Sequence, residues 1–261
     1  MIRSRVGLCL GVLAVFLLIG GCVAVEPPTG DDPDPEALFE SAYTYDERLE
    51  DVRGVRTTET AAGEETLTHR VEVHERPFVD YRSTVLESTD EAREGDVYVS
   101  NASTTWWYDA SANAASYFEP DDPFENEEVR TARAEQVDQQ RDLVTLEYGG
   151  TETVADRETH VLEIETREEA VADGIGVLVG DVEYVYALET VDPAEELVIA
   201  EARLWLDAEY GFPLKEQVVF DVPGEEPYRY TERFEEVSFN DGLSDERFAF
   251  EPPENATVEE W

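Results

Sequence analysis

Cys22 stands where a thiol can be put to chemical use. It follows Ile19-Gly20-Gly21 at the end of an apolar run that begins at Val6, with Arg3 and Arg5 ahead of it. A basic start, an apolar stretch and small residues before a break have the layout of a secretory signal peptide. A cysteine directly after Ile19-Gly20-Gly21 makes a lipobox-like site, where a lipid is joined to a cysteine that becomes the new N-terminus. The expectation is a signal peptide over 1–21 and a chain lipid-anchored through Cys22 at the outer face of the cytoplasmic membrane. Apolar residues and glycines run on to Val25, and about 18 suffice to span a bilayer, so an uncleaved anchor with the same topology stands beside it. Cleavage would remove Cys9 and leave Cys22 alone. No internal disulfide could then form, and a lipid would account for the single thiol.

Other reactive groups form no constellation. His69 and His74 are five apart on an expected strand and so face opposite sides. His160 is remote from both, and no cysteine completes a zinc set. There is no Gly-x-Ser-x-Gly elbow and no glycine-rich phosphate loop. Gly174-x-Gly176 lacks the βαβ frame of a nucleotide site. Acidic pairs abound, but among 63 acids they single out no acid–base site. The expectation is therefore no enzyme, no metal and no cofactor. Asn101-Ala-Ser103 and Asn255-Ala-Thr257 fit the N-glycosylation sequon, so Asn101 and Asn255 are candidate acceptors.

The formal net charge of −44 over 261 residues is spread along the chain, and 41% hydrophobic content argues against disorder. Of 19 basic residues only Lys215 is a lysine. An acidic surface almost free of lysine resembles that of extreme halophiles, where salt screens self-repulsion. Such a charge reports habitat, not mechanism. Without a basic patch to neutralise phosphates, nucleic acid is excluded as a partner.

The elements follow from periodicity. Residues 22–34 carry Pro27-Pro28, Gly30 and Pro33 and read as a tether. Asp34-Pro35-Glu36 is an N-cap followed by a proline at the first helical position. Leu38, Ala42, Tyr45, Leu49 and Val52 then recur at helical spacing, which predicts an amphipathic helix over 35–53 ending at Gly54. From Val55 the period is two. Strands are predicted around 67–75, 78–85, 96–99, 105–108, 116–118, 143–148, 161–164, 202–207, 218–221 and 228–239, with a polar helix over 123–140. Many antiparallel strands with a few inserted helices make an α+β domain over 35–258, its sheet expected to be curled.

The C-terminal third carries a resemblance. Arg203-Leu-Trp-Leu-Asp-Ala-Glu-Tyr-Gly-Phe-Pro-Leu-Lys reads as strand, turn and strand. Phe234-Glu-Glu-Val-Ser-Phe-Asn-Asp-Gly-Leu-Ser-Asp-Glu-Arg-Phe-Ala-Phe-Glu-Pro-Pro reads as a closing strand, a turn after Asn240 and an F-x-F-x-P-P end. Both resemble the LolA-like family of outer-membrane lipoprotein carrier and sorting proteins. Arg76–Arg82, Trp106–Asp109 and Gly150–Ile164 match more weakly but in the expected order. The resemblance implies an incomplete β-barrel with a helical lid around a hydrophobic cavity for acyl chains. It makes Leu38, Ala42, Tyr45, Leu49 and Val52 the lid underside, and Trp106, Tyr108, Phe118 and Trp205 candidate cavity wall. Packing of a solid core is the alternative for each of them. The implied role is non-catalytic binding of lipid or lipoprotein acyl chains at the membrane. A sensor or regulator that binds a membrane-protein partner through the same fold is the other. The stretch 167–200, longer than the family pattern, is open to an extra strand or a lid-like loop.

Overall fold

Asp34 caps the first helix as its sequence requires. The computed structural model describes residues 32–63, 65–167, 177–179, 182–184, 198–221 and 226–260. In it the Asp34 carboxylate accepts from the Glu36 N–H at 3.2 Å, and α1 spans Pro35–Thr44. The predicted extension to Val52 is not made. Tyr45 takes φ 49°, its N–H closes the helix on the Ser41 carbonyl, and the Asp46 N–H donates to the Tyr210 carbonyl at 2.8 Å. The chain is thereby pulled out of the helix towards a strand turn. Leu49 enters the core from a loop and Val52 from the first strand. Helical spacing was satisfied by another route.

The strands in chain order are β1 (Val52–Ala62), β2 (Glu65–Arg76), β3 (Asp80–Ser88), β4 (Val97–Ser100), β5 (Thr105–Asp109) and β6 (Ala114–Phe118). Helix α2 (Asn126–Arg141) precedes β7 (Val144–Val154) and β8 (Arg157–Thr166). Then come β9 (Val177–Val179), β10 (Val182–Tyr184), β11 (Val198–Asp207), β12 (Pro213–Asp221), β13 (Tyr228–Phe239) and β14 (Thr257–Glu260). Among the described residues, twelve strands form one sheet in the order β14-β6-β5-β4-β3-β2-β1-β13-β12-β11-β8-β7. All its pairs are antiparallel except β14 on β6. The fold is α+β with one large antiparallel sheet left open, its end strands β14 and β7 unpaired to one another, as expected; the expected curl is a correction, for the sheet is not curled. The β9–β10 hairpin lies within the stretch left open at the sequence level; the rest of 168–197 lies outside the described residues.

Among the described residues, one apolar core holds the helices to the sheet and another takes in the chain that leaves α1. In one, Leu38, Phe39, Ala42 and Tyr43 of α1 pack on Val137, Val144, Leu162, Leu204 and Leu206. In the other, Tyr45, Leu49 and Val52 pack with Val71, Val73, Trp205, Phe212, Leu214 and Phe234. The Tyr43 hydroxyl donates to Gln140 of α2 at 2.7 Å, which ties the two helices together.

The β11–β12 hairpin turns at Asp207 and Gly211, where the Gly211 N–H donates to the Asp207 carbonyl at 2.8 Å. Gly211 has φ +70°, and a Cβ there would lie 2.7 Å from Ser41 Cβ on α1. Only a residue without a side chain lets this turn touch the helix. Gly211→Ala should cost about 2–4 kcal/mol, from left-handed strain and overpacking together. Urea unfolding checks it, and a midpoint equal to wild type would show that α1 yields without cost.

Candidate acyl-binding face

Cross-strand register decides which aromatics meet. Gly54 pairs with Val73, Val73 with Ser83, Ser83 with Tyr98, and Tyr98 with Trp107. Directly paired residues share a face, and side chains alternate along a strand. Val52, Val73, Tyr81, Tyr98, Trp107 and Phe118 therefore stand on one side of the sheet, the side that carries the core of Tyr45 and Leu49. Tyr81 and Val85 pack against that core directly. Beyond them the rings of Tyr81, Tyr98 and Trp107 follow at centroid spacings of 5.7 Å and 5.7 Å. Trp107 and Phe118 end the row, each 40% exposed. The core face thus runs on as an aromatic shelf across β3 to β6, roughly 14 Å wide at ~4.8 Å per strand spacing.

The inner end of the shelf is polar. Arg56 donates to the Tyr81 hydroxyl at 2.9 Å and pairs with Glu232 at 2.8 Å, and both charged side chains are nearly buried. The Tyr230 hydroxyl donates to the same Glu232 at 2.9 Å, and Glu216 lies opposite Glu232 across the β12–β13 pair. Burial pushes the Tyr230 phenol far above its ordinary value, with the Glu232 charge adding to it. Burial also raises Tyr98, partly offset by a hydrogen bond with Ser100. Both phenols are neutral near pH 7, so the shelf offers uncharged aromatic surface that begins at a buried ion pair.

The residues singled out from sequence divide between places. Leu38 and Ala42 lie in the core under α1, and Tyr45, Leu49, Val52 and Trp205 in the adjoining core. Trp205 also donates its indole N–H to Glu152 at 2.8 Å beneath the Lys215 ammonium, 3.6 Å from the ring centroid. Phe118 is on the shelf. Trp106 and Tyr108 are a correction: Trp106 pairs with Val99 and Tyr117, which puts both on the reverse face, against Phe250. Trp107 and Tyr98 take their place. The aromatic run Trp106-Trp107-Tyr108 showed a strand but not its phase, and a one-residue difference changes the face.

The reverse face is covered by residues 244–250. Arg82 donates to the carbonyls of Arg247 and Ala249 at 3.3 Å each, and Asn101 Nδ2 donates to the Phe248 carbonyl at 2.9 Å. His74 is buried on this face, whereas His69 bonds Ser88 and His160 meets Tyr148. Cys22 lies outside the described residues.

A concavity of about 420 Å³ lies between α1 and the β11–β12 turn, lined in part by Asp34, Glu40, Asp46, Asp207 and Glu209. Its carboxylates would be desolvated by an acyl chain at high cost. The shelf is the better apolar surface.

No family model matches the sequence, and no curated protein matches it. Solved structures do. The MucA/MucB complex of Pseudomonas aeruginosa matches at TM-score 0.44 and 15% identity, over 82% of this chain and 59% of that one. The Mycobacterium tuberculosis lipoprotein LppX matches at 0.41 and 14%, over 82% and 99%. A LolA superfamily protein from Nitrosomonas europaea matches at 0.36 and 11%, over 84% and 98%.

Proposed function

We propose that the protein is a non-catalytic, extracytoplasmic binder of acyl chains, tethered to its membrane through a lipid on Cys22. One observation carries the binding role. The apolar core face continues past α1 and α2 as Tyr81, Tyr98, Trp107 and Phe118, and its outer members are well exposed. An acyl chain laid across these rings leaves water at about 0.8 kcal/mol per buried methylene. Tethering supports holding or receiving lipid at one membrane over long-range shuttling. The position of Cys22 after Ile19-Gly20-Gly21 supports the tether.

The test is a titration of delipidated protein with 11-(dansylamino)undecanoic acid, read by energy transfer from tryptophan and by displacement with unlabelled fatty acid. Trp107→Ala removes on the order of 100 Å² of apolar contact, about 2.5 kcal/mol at most, so affinity should fall by up to about 70-fold. Phe118→Ala should weaken binding several-fold. Trp106→Ala, on the reverse face, should leave affinity unchanged once its folded fraction is matched. Absence of uptake, or equal loss from Trp106→Ala and Trp107→Ala, would refute the assignment. A stoichiometric protein partner cross-linked in membranes, with the shelf empty of lipid, would favour a regulator.

A further inference from the structure

The two sequons sit in opposite circumstances. The side chain of Asn101 is engaged through both its oxygen and its nitrogen. Its Oδ1 accepts from the N–H groups of Ser103 at 2.9 Å and Thr104 at 3.0 Å, which shapes the β4–β5 turn. Its Nδ2, the atom that would carry a sugar, donates to the Phe248 carbonyl at 2.9 Å in a half-buried position. A glycan there would replace one of the two Nδ2 hydrogens beside the bond that straps residues 244–250 onto the sheet, in a half-buried position next to that segment.

Asn255 has the reverse arrangement. It is exposed, and among the described residues its side-chain amide makes no hydrogen bond. Only its backbone is held. Its carbonyl accepts from Asn113 Nδ2 at 2.9 Å, and the Ala256 N–H closes a turn on the Pro253 carbonyl at 2.9 Å. Thr257, the third residue of the sequon, is exposed at the start of β14. The turn is therefore rigid in its backbone while the acceptor amide points at solvent, so a transferase can reach it on the folded protein.

From this contrast we infer that Asn255 is an N-glycan acceptor and Asn101 a structural asparagine. The donor class is a sugar linked through phosphate to a polyprenyl lipid. A bond forms between Asn255 Nδ2 and the anomeric carbon as the anomeric C–O bond to phosphate breaks. The lipid phosphate leaves with the electron pair, and Nδ2 gives up one proton to a base of the transferase. The position has a physical use. β14 ends the sheet and pairs only with β6 among the described residues, so its outer backbone edge is open. Open edges recruit foreign strands, and a glycan at the start of β14 would block that approach.

The inference rests on the extracytoplasmic location proposed above, and the test separates the two. The full chain is produced in a halophilic host with surface N-glycosylation. Intact cells are shaved with protease to establish exposure, and glycopeptides of the wild type are read by mass spectrometry. Expected are a protein removed by shaving, a glycan on the Asn255 peptide, and an unmodified Asn101 peptide. Asn255→Gln should lose the whole glycan mass and Asn101→Gln none of it. The wild-type glycopeptide map decides the matter even if Asn101→Gln fails to fold. A shaved protein with bare Asn255, or with sugar on Asn101, overturns the inference and leaves the location standing. A protein that shaving cannot reach overturns both.

Discussion

Replacing Asp207 by alanine should cost about 3–5 kcal/mol, the range found when one partner of a buried ion pair is removed. Asp207 ends β11 with its carboxylate out of water, 2% exposed. The Arg157 guanidinium meets it with two nitrogens: Nε on Oδ2, and Nη2 on Oδ1 at 3.2 Å. The same carboxylate accepts from the N–H groups of Glu209 at 3.1 Å and Tyr210 at 2.9 Å, so it also shapes the hairpin turn. Arg157 in turn lies 4.6 Å from the Phe239 ring centroid and 5.7 Å from that of Tyr210. Alanine would leave the guanidinium with Glu209, 3.3 Å away, as its carboxylate partner and two turn donors without their acceptor.

Two further variants apportion the loss. Asp207→Asn keeps an oxygen for the turn donors but removes the charge facing Arg157, so it should lose less than alanine, about 2 kcal/mol. Arg157→Met keeps much of the apolar stem over Phe239 and removes the cation. In the double variant Asp207→Asn with Arg157→Met, the losses should fall short of additive by about 1–3 kcal/mol, as for directly bonded groups. Chemical denaturation gives all four corners of the cycle. Additive losses would mean that the pair is not coupled and that Asp207 serves the turn alone.

Asp207 also shows what the sequence could and could not reveal. The string Asp207-Ala-Glu-Tyr-Gly211-Phe-Pro213 announced a turn, because each residue type suits its position, and the hairpin formed there. Its ion partner, 50 residues earlier, left no local trace. Most strand positions were legible for the same reason as the turn, alternation and breakers being local; β1 was not, because Val52 also fits the helical spacing before it. Strand neighbours were not, and with them went the choice of face. Trp106 and Trp107 are indistinguishable by composition. Only pairing of Trp107 with Tyr98, and of Val99 with Trp106, assigns one to the core side and the other to the reverse. Helix α1 failed differently. Leu38, Ala42, Tyr45, Leu49 and Val52 are all buried, so the apolar pattern was correct. Burial was delivered by ten helical residues, a loop and a strand, because a bond from Asp46 to Tyr210 competes with the next helical turn. Strand β14 was missed because Thr257-Val-Glu-Glu260 has one large apolar residue and needs β6 to define it.

Asp51→Ala should cost about 3 kcal/mol and release the C-terminal segment from the reverse face before the sheet itself unfolds. The Asp51 side chain is 3% exposed. It accepts from three successive backbone N–H groups: Asp241 at 2.9 Å, Gly242 at 2.8 Å and Leu243 at 3.1 Å. Hydrogen bonds to a charged group contribute about 1.5–3 kcal/mol each, but donors freed here can partly rehydrate, which brings the sum down. Asn240 fixes the same corner from the other side. Its Oδ1 accepts from the Glu50 N–H at 2.8 Å and its Nδ2 donates to the Arg48 carbonyl at 2.9 Å, at φ 60°. Gly242 follows at φ +81° with nothing near its missing side chain, so its glycine serves the backbone turn and not a close approach. The corner sends the chain from the end of β13 to the reverse face, where Phe250 meets Trp106 and Tyr108 and Phe248 lies under Arg76. Without Asp51 that cover should detach locally. Limited proteolysis should cut between 241 and 256 at least tenfold faster than in wild type, and tryptophan emission should shift to the red as Trp106 meets water. Asp51→Asn, with one acceptor oxygen for three donors, should fall between the two. Tryptophan emission and cleavage rates equal to wild type in Asp51→Ala would show that Asn240 and the strap from Asn101 hold the segment without it.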